Sequence, residues 1–186
     1  GNYNPVPKET VTLLDAMKTR VSDLVTFRGC GIIDSKYKPQ SNPFFAQVGQ
    51  MTDKELADLA KQFAIGVNDI RNYARREQIM SSSFLPELDV GSVLSQLEGI
   101  DIVVFAGGIS PRFEGEEMPV QVPGFSGGDK TDIELPEVQR SLLKALHDAG
   151  KKVILVNFSG SAISLVPETE TCDAILQAWY PGQEGG

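Results

Sequence analysis

The sequence predicts an α/β protein built on a mostly parallel sheet with helices on both faces. Three observations carry that prediction. The runs "DIVVFA" (101–106) and "KVILVN" (152–157) are too continuously apolar for strands with one wet face, which alternate polar and apolar residues. Around them lie segments with apolar residues three and four apart, the spacing of a helix with one buried face. Strand and helix signals alternate along the chain, and parallel strands need crossovers that then cover the sheet. At 186 residues, 41% hydrophobic and 23% charged, the chain has the length and composition of one globular domain with a sizeable core.

From the N-terminus, "KETVTLLDAMKTR" (8–20) sets Val11, Leu14 and Met17 on one helical face. "DLVTF" (23–27) reads as a short buried strand, and residues 29–50, with Pro39 and Pro43, as irregular loop. Thr52 and Glu55 form a capping box in which each side chain satisfies a free amide at the helix start. Behind it Leu56, Leu59, Phe63, Val67 and Ile70 make one apolar face reaching about Tyr73. "SSSFLPELD" (81–89) interrupts the chain, and "GSVLSQLEG" (91–99) is a short helix leading into the strand at 101–106. The segment from Gly107 to Leu135, rich in Gly and Pro, reads as a long loop. Pro136 suits the first turn of a helix because it has no amide hydrogen to leave unsatisfied. Val138, Leu142, Ala145 and Leu146 give that helix its buried face, and Gly150 stops it. After the strand at 152–157, "SAISLV" (161–166) reads as a short helix and "DAILQAW" (173–179) as a further strand.

Composition excludes several function classes. A net charge of −8 opposes binding to nucleic acid or an anionic membrane surface. No apolar run approaches the roughly 20 residues of a membrane span, and the N-terminal "GNYNPVP" has no signal-peptide character. Cys30 and Cys172 lack metal-ligand spacing and read as two free, mostly buried thiols. "GCGIID" (29–34) lacks the third glycine of a dinucleotide loop, and no phosphate loop is present, so no cofactor and no metal are expected.

Chemistry is sought where loops leave the carboxyl ends of parallel strands. "AGGISPRFEGEEM" (106–118) leaves such an end and gathers Glu114, Glu116 and Glu117 beside Arg112. Crowded carboxylates raise the pKa of at least one of them, and a carboxyl kept protonated near neutrality is a general acid. A solvated acidic loop with ordinary pKa values is the competing reading, and charge pattern does not choose between them. His147, the single histidine, sits late on its helix and reads as a helix-end residue. Ser159 and Ser161 follow a strand but have no evident base. The aromatic residues of "WYPGQEGG" (179–186) fit either a sugar site or the closing of a core.

Five stretches, "GNYNP…TLLDAMK", "FAGGISPRFEGEEM", "GGDKTDIELPEVQRSLLKAL", "KKVILVNFSGSAISL" and "CDAILQAWYPGQEGG", together resemble the C-terminal α/β-sandwich domain of glycoside hydrolase family 3. They cover most of the chain in the same order and are weakest over residues 40–90. The resemblance implies a fragment of a retaining, exo-acting β-glycosidase. Residues 1–186 are then one sandwich domain lacking the family domain's first strand, and the (β/α)8 barrel lies outside the chain. The barrel supplies an Asp nucleophile and the sandwich supplies the acid/base Glu. "VSDL" (21–24) does not match the nucleophile segment. The family's Glu-x-Glu pattern falls on Glu114-Gly115-Glu116, which makes Glu116 the acid/base and Glu114 the runner-up. Glu117 stands where many members have glycine, and "MPVQVPGFSGG" (118–128) is inserted before Asp129-Lys130.

The implied substrate is an oligosaccharide or aryl β-glycoside from plant polysaccharide, xylosidic first and glucosidic second. The implied location is periplasmic or secreted. Without its barrel the chain is expected to be inactive, to leave the 107–135 loop disordered or misplaced, and to expose a surface through which two fragments could form a homodimer. Two other readings stand beside this one. The chain could be a non-catalytic module binding carbohydrate or a partner, or a self-contained hydrolase pairing Glu116 with Asp129 or Asp132.

Overall fold

The computed structural model describes residues 9–38, 47–74, 84, 89–111, 113–114, 120–127, 129–182 and 185–186. Helix α1 (Leu13–Arg20) opens at Thr12, whose hydroxyl accepts from the Asp15 amide while the Asp15 carboxylate accepts from the Thr12 amide. It has no buried residue, and Val11 and Leu14, expected on a covered face, stand exposed. "DLVTF" is not a strand. Residues 24–30 have no regular structure, Val25 is 57% exposed, and no described strand lies beside them. A buried parallel strand needs both a hydrogen-bonded neighbour and covered faces, and this run has neither.

The expected capping box opens α2 (Asp53–Phe63), with Thr52 and Glu55 exchanging hydrogen bonds. The single long helix expected behind it is broken. Ala64 takes a left-handed conformation at φ 53°, and a separate helical segment at 67–74 follows Gly66. The Asp69 carboxylate accepts from the Gly66 amide, so local capping wins over continuation of the first helix. Leu56, Ala60 and Ile70 still share one cluster with Val48, whereas Phe63, at the break, is exposed.

Helix α3 (Val90–Gln96) is capped by Asp89, whose carboxylate accepts from the amides of Gly91 and Ser92. It leads to strand β1 (Ile102–Gly108). Three short strands follow, β2 (Gln121–Val122), β3 (Phe125–Ser126) and β4 (Asp129–Lys130), and form a small antiparallel sheet of their own. Helix α4 (Glu137–Asp148) then crosses to β5 (Lys152–Phe158). A single-turn helix, α5 (Glu168–Thr171), precedes β6 (Ala174–Gln177). The main sheet is parallel in the order β1-β5-β6.

The register of that sheet sorts its two faces. Val103, Phe105, Val153 and Leu155 pack with Leu142, Leu143 and Leu146 of α4, Val93 of α3 and Leu97 just after it. The opposite face carries Val104, Ala106, Ile154, Val156 and Leu176, and Leu176 is half exposed. A cavity of about 390 Å³ lies between α4 and residues 30–37, lined by Cys30, Tyr37 and Leu142. Cys30 and Cys172 are free thiols packed at the edge of the core, and burial pushes the Cys30 thiol up to about 11.

Three further expectations change. Residues 161–166 are not helical: the Ser164 amide donates to Ile133 in an isolated parallel bridge between Ser164 and Glu134. Pro136 is the N-cap of α4 rather than its first helical residue. The 107–135 segment, expected to lack order without a partner domain, carries its own core where it is described. Ile109, Phe113, Val120, Val122 and Phe125 are buried together with Ile33 and Phe84. Apolar residues in that number let an excursion pack on itself.

Glu168, unnoticed in the sequence, is 1% exposed, and its Oε2 has no hydrogen-bond partner among the described residues. Burial pushes its pKa up, Glu134 and Glu137 add to that, and the Arg140 guanidinium 3.6 Å away offsets part of it. The folded state therefore holds this proton more tightly than the unfolded chain. The group favours folding at low pH and penalises it increasingly as pH rises above the ordinary carboxylate range. Glu168→Gln is expected to raise Tm at pH 8 more than at pH 4, as read by thermal melts. Equal shifts at the two pH values would show that ionisation of Glu168 is not linked to folding.

Candidate functional site

The three strands of the main sheet all end at one edge, and the functional candidates gather there. Strand β1 leaves the sheet at Gly108, whose φ is +119°, and the Ile109 amide then donates to the Phe158 carbonyl at 2.8 Å. Gln139, from the first turn of α4, is 2% exposed and grips this exit. Its Oε1 accepts from the Gly108 amide at 2.8 Å, and its Nε2 donates to the Gly108 carbonyl at 2.7 Å and to the Ile32 carbonyl at 3.1 Å. A buried amide that satisfies three backbone groups makes the root of the loop rigid.

Beyond the root, Phe113 is fully buried, meeting Phe84 edge-on at 6.0 Å and Phe125 at 5.5 Å between ring centres. Next in sequence, Glu114 hydrogen-bonds to the turns that follow β5 and β6. Its carboxylate accepts from the Gly160 amide at 3.0 Å, from the Ser161 hydroxyl and from the Tyr180 hydroxyl. Gly160 is required by this arrangement, because a Cβ there would lie 2.5 Å from the Tyr180 ring and 3.2 Å from Glu114 Oε2. Lys130 of β4 donates to the Ala162 carbonyl at 2.7 Å and adds its charge to the cluster.

Burial alone would raise the Glu114 pKa, but the three donors and Lys130 together hold it below the usual carboxylate value. Glu114 is therefore ionised at neutral pH, as an acceptor with three donors should be. The same contact drives Tyr180 the other way: burial first, then the neighbouring carboxylate, raise its pKa well above the ordinary phenol value. Glu116, Glu117 and Arg112 lie outside the described residues.

The other candidates fall into place around this cluster. Ser161 is committed to Glu114, and the buried Ser159 hydroxyl accepts from Gln177 Nε2 at 2.9 Å. Asn157 Nδ2 donates to Gln177 Oε1 at 2.6 Å and completes that row beneath the strand ends. Asp129 and Asp132 are exposed, and the Asp132 carboxylate accepts from the Glu134 amide. His147 lies in the last turn of α4, as expected. Trp179, beside Tyr180, is half exposed and holds a left-handed backbone at φ 57°. No group of three or more His, Cys, Asp or Glu among the described residues is placed to hold a metal. No described helix is long and apolar enough to cross a membrane.

The long-range partners of Glu114 were not visible in the sequence, since 46 to 66 residues separate it from them. Gln139 did leave a signal. It occupies the same helical stripe as Leu142, Leu143 and Leu146, and a polar residue in an apolar stripe marks a buried partner.

Comparison with known proteins gives matches at each level. The model of the family described as "Glycosyl hydrolase family 3 C-terminal domain" matches residues 1–186. A xylan 1,4-beta-xylosidase of Xylanibacter ruminicola is 67% identical over 99 residues, which is 53% of this chain and 12% of that protein. A periplasmic beta-glucosidase of Salmonella typhimurium is 40% identical over 76 residues, 38% of this chain and 10% of that protein. Among solved structures, the beta-glucosidase from Listeria innocua in complex with gluconolactone matches at 31% identity. It has a TM-score of 0.45 and covers 55% of this chain and 13% of its own.

Proposed function

The chain belongs to the glycosyl hydrolase family 3 C-terminal domain family, and from that premise we propose that it is the acid/base-bearing domain of a retaining, exo-acting β-glycosidase. Its substrates are terminal β-linked sugars of plant polysaccharide fragments, xylosides before glucosides. The 67% identity to a protein named as a xylan 1,4-beta-xylosidase supports that order. The enzyme works in the periplasm or is secreted, in keeping with the name of the Salmonella relative. Residues 1–186 form one domain of it, and a (β/α)8 barrel elsewhere in the polypeptide contributes the nucleophile. The chain spans only 10 to 12% of the two relatives described above, which leaves room for such a barrel.

The observation that carries the proposal is the state of Glu114. Of the Glu-x-Glu pair, the first is held ionised by three donors and suits an anchor rather than a proton donor. That leaves Glu116 to protonate the glycosidic oxygen in the first step and to take a proton from water in the second. Retention requires a second carboxylate about 5–5.5 Å from it, which attacks the anomeric carbon and is then released by that water.

Two measurements test the reading. The 186-residue chain by itself is expected to release no nitrophenol from nitrophenyl β-xyloside or β-glucoside, because one acid cannot replace the attacking carboxylate. The complete polypeptide is expected to release the β-anomer first, followed in real time by NMR. Release of the α-anomer, or turnover by the short chain that is lost in Glu116→Gln, would overturn the division of labour between domains.

A further inference from the structure

We propose that Glu114 is a positioning residue: its carboxylate is a latch that ties the loop carrying Glu116 to the ends of β5 and β6 through Gly160, Ser161 and Tyr180. The proposal rests on the assignment of Glu116 above and goes beyond it, since it gives the first glutamate of the pair a task of its own.

The geometry is that of a tie between three chain segments. Phe113 is buried against Phe84 and Phe125, so the backbone just before Glu114 has little freedom. Glu114 then spans to the turn after β5, by the Gly160 amide and the Ser161 hydroxyl, and to the segment after β6, by the Tyr180 hydroxyl. Both segments follow directly from hydrogen-bonded strands of the main sheet. Gly160 leaves just enough room for the Tyr180 ring to close the tie. Charge-assisted hydrogen bonds of this kind are about twice as strong as neutral ones, and three on one carboxylate fix its position. A loop rooted by Gln139 and tied again at Glu114 is held at two points before the chain reaches Glu116. An acid misplaced by about 1 Å loses roughly 10²-fold in rate, so this second tie has a direct catalytic consequence.

The latch also sets a field. Among the described residues, Tyr180 and Lys130 are the titratable groups that face Glu114 from the elements packed against it. The ionised carboxylate lies two residues from Glu116, and a nearby negative charge keeps an acid protonated to higher pH.

The test uses the complete polypeptide and three variants, Glu114→Gln, Tyr180→Phe and their combination, with Glu116→Gln as the reference. Each latch variant is expected to lower kcat on nitrophenyl β-xyloside roughly 10- to 100-fold with KM changed less than about twofold. The combined variant should be no worse than the poorer single one, because both break the same tie. Glu114→Gln should also shift the basic limb of kcat/KM to lower pH, which loss of packing alone would not do. Tyr180→Phe, which keeps the charge, should leave that limb in place.

If Glu116→Gln gives azide rescue while Glu114→Gln and Tyr180→Phe keep normal kcat and pH profiles, the latch is wrong and the Glu116 assignment stands. If azide rescues Glu114→Gln and not Glu116→Gln, Glu114 is the proton carrier and both readings fall. Should Glu114→Gln not fold, Tyr180→Phe decides, since it deletes one hydroxyl; normal kcat in that variant overturns the latch.

Discussion

Glu116→Gln in the complete polypeptide is expected to lower kcat/KM about 10²- to 10⁴-fold on substrates with poor leaving groups, the range that general acid catalysis contributes. The substitution keeps size and hydrogen-bonding shape but removes the transferable proton. An alkyl or sugar leaving group must be protonated as its bond breaks, so the first step suffers most there. A dinitrophenolate leaves without help, so its first step should survive. The second step, in which the same residue is proposed to activate water, should then become limiting, and the glycosyl-enzyme should accumulate behind a burst of dinitrophenolate. Azide needs no base; it should restore turnover and yield a β-glycosyl azide. Glu117→Gln is expected to show a mild loss and no azide product. A Glu116→Gln variant that loses equally on both leaving groups and ignores azide would remove Glu116 from the reaction.

Particular residues show how far the sequence could be read. The apolar runs of β1 and β5 were legible because little else in the chain is that continuous, although β1 leaves Ile102 and Ala106 exposed. "DLVTF" resembled them in composition, but five apolar-rich residues do not make a strand without a neighbour to pair with. The break at Ala64–Gly66 was hidden for a different reason. The apolar spacing continues across it, and only the capture of the Gly66 amide by Asp69 shows that the helix restarts. The Glu-x-Glu loop stood out as a candidate site from its place after a strand and from its resemblance to a family. The partners of its first glutamate did not. Glu114 is held by Gly160, Ser161 and Tyr180, residues that fold brings together and sequence keeps far apart.

The point at which β1 gives way to the loop should be among the least forgiving of the described positions. Gly108→Ala is expected to destabilise the protein by roughly 4 kcal/mol or more, among the larger effects of single substitutions. At Gly108 the backbone has φ +119°, a conformation that L side chains rarely adopt. A Cβ there would lie 2.0 Å from the Phe158 carbonyl oxygen and 2.7 Å from both its carbonyl carbon and its nitrogen. Those are backbone atoms of β5, paired to Gly108 in the sheet register, and no rotamer change can move them aside. Pushing β5 away opens the ladder. Turning φ instead breaks the bonds from Gln139 to the Gly108 amide and carbonyl, leaving buried polar groups unpaired at about 1–3 kcal/mol each. Gly99→Ala separates strain from collision, because Gly99 has φ +77° with nothing within 4 Å of the added Cβ. That variant should lose about 1 kcal/mol and melt only a few degrees lower. Gly108→Ala should melt about 10 °C lower or fail to accumulate as folded protein. Equal melting temperatures for the two variants would mean that β1 and β5 can separate at the loop root without penalty, and that the root is not the rigid point from which Glu114 is positioned.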